Sequence, residues 1–526
     1  MKKSKRISAL EPGTLILGIF LAVLSAAICM QIMGQLGTAP NTSLIGAVLV
    51  MIVARIPIML AKKFRNLERQ NYVLSIASSA GFTAANCGFV AVATMFIMGR
   101  NDLIVPIAFG TLIGSIIAVF SMGRLFDSKI FPARGSWPMG QAVAAAVKAG
   151  DEGGKKGIEL LQGLAVGAVA SFFGIPAAGV GIVFIANMIT MAALGAGIIL
   201  RGYGTYIFNG FDIGQSGIAQ GIMIGAGFVA LTQIIRSISK GNKKALTSPI
   251  SSTSEKPKES EYEIKDSDTK KSLLASIGMF IIGAVAVALV TGIFSDMDLV
   301  MSIIWVIFAG SASVIVMILV GTASMHTGIA PAFAVVTICL TIGMMIGFPP
   351  VPLAVLVGYI GAVGMPLADT GIGLKAGWLI RRNGADKANE QYGRKHQIII
   401  KQLGVVIGIA MSVAFGLTLV NNDVIPPMSI FYARTAFEAV NPALIRELVI
   451  WAVPGAVLQA VFGNKSVGLM LATGLLINNP IFGITLLVSI GIRMIAGTKH
   501  MGIRGPGLIA GDGLFGFGAN IIRAFF

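Results

Sequence analysis

Long apolar stretches alternate along this chain with short connections that hold most of its charge. The runs fall at about 14–34, 42–60, 72–98, 103–122, 158–175, 177–200 and 214–235. After a polar segment they resume at about 273–294, 298–320, 328–347, 351–364, 398–420, 443–462, 466–478, 481–496 and 506–526. Helices of 18 or more apolar residues are long enough to cross a hydrocarbon core of about 30 Å. The short alternating segments of a membrane β-barrel do not occur. The pattern predicts an all-α, polytopic helical membrane protein of about 14–16 membrane segments, including re-entrant or broken helices.

Some runs carry polar or helix-breaking residues at their centre. "YVLSIASSAGFTAANCGFVAVATMFIM" holds Ser, Thr, Asn and Gly, and "GFPPVPLAVLVGYIGAVGMPLADTG" reads as cut by Pro and Gly. Interrupted backbone at membrane depth is tolerated only against protein or a polar cavity, which is where secondary transporters bind substrate. Helix packing through small residues is the competing explanation, and it must account for most of the 66 glycines. The basic connections "AKKFRNLER" and 123–157 place those segments in the cytoplasm, as does the Lys-rich segment between Arg236 and Ser272. Three runs then separate 157 from that loop, which is the wrong parity. One segment must be re-entrant or uncounted, with 201–211 and 134–157 as the suspects.

The chain echoes itself. Pro138 followed by Lys148-Ala149-Gly150 matches Pro366 followed by Lys375-Ala376-Gly377. Gly163, Gly167 and Ser171 match Gly404, Gly408 and Ser412 in spacing, and "SGIAQGIMIGAG" (216–227) matches "GLIAGDGLFGFG" (507–518). Three matches in one order predict two duplicated halves, 1–235 and 273–526, around a cytoplasmic polar loop at 236–272. Transporters built from repeats bind substrate where the repeats meet.

Composition sharpens this. The chain is 55% hydrophobic and only 12% charged, against about 25% charged in soluble domains. Its net charge of +17 sits in the connections, so it reads as the positive-inside bias and not as a nucleic-acid surface. Cys29, Cys87 and Cys339 are scattered through apolar runs and form no disulfide or metal motif. "MKKSKR" before the first run gives an uncleaved span with a cytoplasmic N-terminus. "GNKSVG" lacks the upstream glycine of a phosphate loop, and no GxSxG or HExxH occurs. These absences argue against ATP-driven transport and an intramembrane enzyme, and a channel would have no use for two broken repeats.

The motifs carry a resemblance. "SWPMGQAVAAAVKAGDEGGKKG" resembles the Trp-Pro…Lys-Ala-Gly…Glu-Gly-Gly-Lys stretch of the oligopeptide transporter (OPT) superfamily. "DTGIGLKAGWLI" resembles its second-half Asp…Lys-x-Gly stretch, and "GLIAGDGLFG" its C-terminal Gly-Leu-Ile-Ala-Gly-Glu motif, with Asp512 in the acidic place. The Asn-Pro-Gly motif of the eukaryotic peptide branch is absent, which counts against peptide transport more than against the likeness, taken as one to a prokaryotic member. The resemblance implies a proton-coupled secondary transporter, an importer of oligopeptides or of metal-chelate or siderophore-type substrates, working by alternating access. A transporter of another small metabolite with the same architecture is the alternative. The expected partners are a peptide or metal-chelate substrate, protons and the lipid bilayer of the cell (inner or plasma) membrane. A homodimer is left open, and neither nucleic acid nor a cofactor is expected.

The candidate residues of the substrate and proton pathway follow from chemistry at membrane depth. Asp369 and Asp512 are carboxylates in apolar, Gly-rich surroundings, where an ionisable group is costly and tends to be functional. "PLADTG" also suits Asp369 as a helix N-cap. Lys375 lies six positions from Asp369 and does not share its helix face. Gln141 and Lys148 fall on one face of a short helix with Ala145, where Lys148 could meet a substrate carboxylate or snorkel to the interface. His326, between two spans, could shuttle a proton, and Asn86 could line a cavity in the interrupted third run. The three histidines have no metal-site spacing, and no metal held by the protein is expected.

Overall fold

The computed structural model describes residues 7–37, 66–152, 154–244, 264, 266–328, 330–438, 442–462, 466–497, 501 and 504–525. The run at 42–60, the basic N-terminal stretch, His500 and most of the 236–272 loop lie outside the described residues. The first half holds α1 (Pro12–Leu36), α2 (Leu67–Thr83), a π-helical segment (Ala84–Phe89), α3 (Val90–Ile97) and α4 (Ile104–Leu125). It continues through α5 (Pro138–Glu152), α6 (Gly154–Phe172), α7 (Ala177–Ile185), α8 (Met188–Ile207) and α9 (Ile218–Lys244). Then come α10 (Asp266–Thr291), α11 (Leu299–Thr327), α12 (Ala332–Ile346), α13 (Pro350–Ile380) and α14 (Lys387–Asn421). The chain ends with α15 (Pro427–Glu438), α16 (Pro442–Phe462), α17 (Val467–Leu476), α18 (Pro480–Ala496) and α19 (Arg504–Phe525).

Among the described residues, seven helical stretches are long and apolar enough to cross a membrane: α1, α2–α3, α4, α10, α11, α13 and α14. Shorter apolar helices accompany them within α6, α9, α12, α17 and α18. The outward faces are apolar too. Val449, Val453, Val457 and Val461 form an exposed stripe along α16, as a hydrocarbon solvent demands. This is an all-α, multi-pass membrane protein.

One expected break is absent and one unexpected break is present. The run expected to be cut at Pro366 is one continuous helix, α13. A proline ring denies a hydrogen bond to the carbonyl four residues earlier. Here that carbonyl belongs to Ala362, and Ser115 of α4 donates its hydroxyl to it at 3.0 Å. A neighbouring helix thus satisfies the freed group and the helix runs on. Conversely, the apolar stretch 177–200 is two helices. The first ends at Ile185, and Asn187 caps the second, α8, its side chain accepting from Ile189 N and Thr190 N at 3.0 and 3.4 Å.

Contacts fix the direction of each helix. Arg69 pairs with Glu11 at 2.8 Å, so α1 and α2 begin on one side, here called the near side. Gly513 of α19 lies against Ile28 and Gly516 against Gln31, so α19 runs parallel to α1. A Cβ on Gly163 would lie 2.4 Å from Arg504 O, and one on Gly167 2.3 Å from Leu508 O, so α6 is also parallel. Phe172 at the end of α6 meets Phe515, about halfway along α19. From there α7 turns back, with Gly181 against Gly505. Helices α6 and α7 therefore form a re-entrant hairpin that enters and leaves on the near side. The parity conflict disappears, because α8 alone reaches the far side and α9 returns. Neither suspect is the re-entrant element: 201–211 ends α8, and 134–157 contains the short α5.

A second hairpin enters from the far side. Glu447 accepts from Gly217 N at 3.0 Å, a Cβ on Gly225 would lie 1.8 Å from Ala452 O, and Gln233 Nε2 donates to Gln459 O at 2.9 Å. So α16 descends parallel to α9, and α17 turns back beside it, Gly468 lying against Gly455. Each hairpin pairs a long arm with a short one. Each is followed by a crossing helix, α8 or α18, and these two meet at Gly195 and Gly483. The final helices exchange partners, α19 lying along α6 and α9 along α16. The sequence echo between α9 and α19 thus falls on corresponding places. The Gly-Gly-Ser echo does not: α6 packs on α19, whereas Gly404 and Gly408 seat α14 on Ile76 and Ala80 of α2.

Candidate functional site

A buried polar stripe runs down α14. Glu390, Arg394, Gln397 and Lys401 follow one another at i, i+4, i+7 and i+11, one face of the helix, and all are buried. Asn71, Ser75 and Ser78 of α2 repeat the device at i, i+4 and i+7, and all are buried as well. Gly404 and Gly408 let the two helices approach closely enough for the stripes to meet.

The near end of this seam is a charged cluster. Arg381 donates to both oxygens of Glu390 at 2.7 and 3.1 Å and to Gln397 Oε1 at 2.9 Å. Arg394 reaches Glu390 at 3.5 Å and donates to Phe126 O at 3.1 Å. Gln397 then donates to Gly373 O at 2.9 Å and to Ser75 Oγ at 3.3 Å. One turn deeper, Lys401 Nζ donates to Asp369 Oδ2, with Ser78 Oγ at 3.4 Å. The Asp369 and Lys401 side chains are 1% and 0% exposed, so neither charge has water to screen it. Such a pair persists only because each charge compensates the other. Asn71, also buried, has neither amide atom hydrogen-bonded among the described residues.

The structure brings some expected residues together here and disperses others. Asp369 is not an N-cap: it sits in the middle of α13, because Pro366 does not end that helix. Lys375, further along α13, is buried and donates to Ala133 O at 2.7 Å and Gly135 O at 3.1 Å, its ammonium 4.5 Å from the Trp378 ring. It thereby ties down the connection before α5. In that connection Trp137 is fully buried against Gly371, Phe126 and Phe131. Gly140 lies against Lys375 itself, so the Trp-Pro stretch packs on the segment that echoes it.

On α5, Gln141 and Lys148 share the predicted face and are exposed. Gln141 donates to Ser136 O, and Lys148 reaches Leu379 O at 3.4 Å. His326 is half-buried in the last turn of α11, next to Met325, whose carbonyl accepts from Ser136 and Trp137. Asn86 lies in the π-helical segment and donates to Phe82 O at 3.1 Å; Ser412 donates to Ala84 O there at 3.0 Å. Asp512 is remote from Asp369. Its carboxylate accepts from Ala178 N at 2.7 Å, capping α7 at the tip of the near-side hairpin.

On the far side, a cavity of about 670 Å³ opens between the end of α1, the α14–α15 turn and the α17–α18 junction. It is lined by Gln35, Arg201, Asp423, Arg434, Asn478 and Asn479 among others. Neither Lys401 nor the cavity arginines were singled out from sequence. Lys401 had a legible signal, since it follows Gln397 by four residues inside an apolar run. Arg434 had none, because its place depends on how three distant turns converge.

Comparison with known proteins agrees with the first of the motifs, "SWPMGQAVAAAVKAGDEGGKKG", which lies within the matched residues. Residues 13–230 match the family described as OPT oligopeptide transporter protein. No curated protein matches the chain. The match spans less than half of the chain, and the family's description names oligopeptide transport.

Proposed function

We propose that this chain is a proton-coupled importer of oligopeptides or metal chelates that works by alternating access. The observation that carries the reading is the Asp369–Lys401 pair, an ion pair removed from water inside two membrane-crossing helices. Protonating Asp369 would cancel one charge and leave Lys401 to seek new partners among Ser78 and the neighbouring polar stripe. That is a local change able to bias a two-state packing. The two oppositely directed hairpins support the second half of the reading, because repeats of opposite entry can rock against each other to open either side. The far-side cavity supports an outward-open form.

The near side is read as the cytoplasmic side of the cell membrane, and with it the N-terminus. Arg124, Arg381, Arg382, Lys387, Arg394 and Lys395 cluster at helix ends there, which matches the positive-inside bias. The halves are taken as 1–235 and 273–526, with 236–272 as the cytoplasmic loop. The test is uptake into proteoliposomes of nickel-loaded nicotianamine and of short peptides under an imposed pH gradient. Asp369→Asn is expected to abolish accumulation against a gradient while leaving substrate exchange. Accumulation at the wild-type level in that variant would remove the pair from coupling.

A further inference from the structure

The far-side cavity has an unspent set of polar groups. Arg201 is committed, pairing with Asp212 at 2.6 Å, and Asp212 also accepts from Gly214 N at 2.8 Å. Arg434 is different: half-buried on α15, it has no carboxylate or hydrogen-bond partner among the described residues. Asp423, exposed at the α14–α15 turn, likewise has no ion-pair partner there. Gln35 also lines the cavity, and its buried Oε1 atom accepts no hydrogen bond among the described residues. Besides the committed Arg201, one cation, one anion and a neutral acceptor with no partner among the described residues therefore line a space of about 670 Å³, within the usual range for small-molecule sites.

We propose that this cavity binds a small zwitterion with a free carboxylate and a free amine, with Arg434 receiving the carboxylate. The guanidinium offers a planar donor fork that fits a carboxylate with two hydrogen bonds. Asp423 faces the same space, so a polyanion would meet repulsion while a substrate amine would be held. Gln35 Oε1 accepts a further N–H. Peptides and aminocarboxylate metal chelates share this chemistry. The inference rests on the transporter reading for its purpose but not for its test.

The test is binding by thermal shift on the purified full-length protein in detergent. The probes are trialanine, trialanine amide, N-acetyltrialanine and nickel-loaded nicotianamine. Binding by trialanine marks a peptide site and binding by the nickel complex a chelate site, and either supports the proposal. For a peptide, amidation of the C-terminus is expected to weaken binding by roughly 10–100-fold, the cost of one lost charged hydrogen-bond pair. Whichever probe binds, Arg434→Gln is expected to weaken it by a similar factor and Arg434→Lys to recover part. Asp423→Asn should weaken trialanine more than N-acetyltrialanine.

Equal binding of acid and amide, unchanged binding in Arg434→Gln, or no binding by either trialanine or the nickel complex would overturn the proposal. The unfolding temperature of each unliganded variant separates a binding defect from a folding defect. Normal accumulation in Asp369→Asn would sink the coupling reading and leave the cavity assignment standing.

Discussion

Removing one partner of the Asp369–Lys401 pair leaves the other charged and buried without its paired charge. With Asp369→Asn, Lys401 keeps a neutral amide oxygen and Ser78 Oγ at 3.4 Å as acceptors but loses the carboxylate charge that compensates its own. Lys401 is fully buried, so water cannot take over the lost compensation. Breaking a buried pair in this way costs about 3–5 kcal/mol. Lys401→Met alone removes the cation paired with the Asp369 carboxylate and is expected to destabilise as well. The double variant, Asp369→Asn with Lys401→Met, removes both charges and puts an apolar chain where the stem of Lys401 lay. Replacing a buried pair by uncharged groups is often neutral, so its cost should fall well below the sum of the singles. The assay is a double-mutant cycle of unfolding in mixed detergent micelles, and the expected coupling energy is about 3 kcal/mol or more. Single variants that cost less than about 1 kcal/mol, or effects that simply add, would refute the reasoning. Transport gives a second reading of the same variants: the double variant should fold well and still fail to accumulate substrate.

Other outcomes follow from the geometry. Asp512→Asn keeps an acceptor for Ala178 N and should retain uptake, whereas Asp512→Ala should lower stability by roughly 0.5–2 kcal/mol, the value of a lost cap. Gly225→Ala puts a methyl 1.8 Å from the Ala452 carbonyl and should reduce folded yield, while Gly278→Ala on α10 meets nothing within 4 Å and should not. If α6 and α7 form a near-side hairpin, single cysteines at Glu159 and Ile189 will label from one face of the membrane and one at Phe211 from the other. Background labelling should be low, because Cys29, Cys87 and Cys339 are all buried.

Most membrane-crossing helices were legible because burial in lipid imposes one requirement, an unbroken apolar run. What the runs concealed is depth. An apolar helix of nine residues such as α7 looks like the start of a span when α8 follows two residues later, and only contact with α19 shows that it turns back. Proline misled for a related reason. Whether Pro366 ends a helix depends on a donor for the Ala362 carbonyl, and Ser115 supplies it from 247 residues away in sequence. The candidate site was half legible. Asp369 stood out as a carboxylate in an apolar run, yet its partner Lys401 was hidden among "HQIIIKQLG", read as the start of a span. Polar spacing within α14 would have revealed the stripe. The convergence of Gln35, Asp423 and Arg434 has no counterpart in local sequence at all.

The most direct test of the central claim is proton movement that accompanies substrate. Sealed proteoliposomes carrying a pH-sensitive dye would be given nickel-loaded nicotianamine or a short peptide without an imposed gradient. Coupled transport should acidify the lumen only when substrate is added, and Asp369→Asn should abolish that signal while still exchanging labelled substrate. Substrate entry with no accompanying proton, or an unchanged proton signal in Asp369→Asn, would contradict the account.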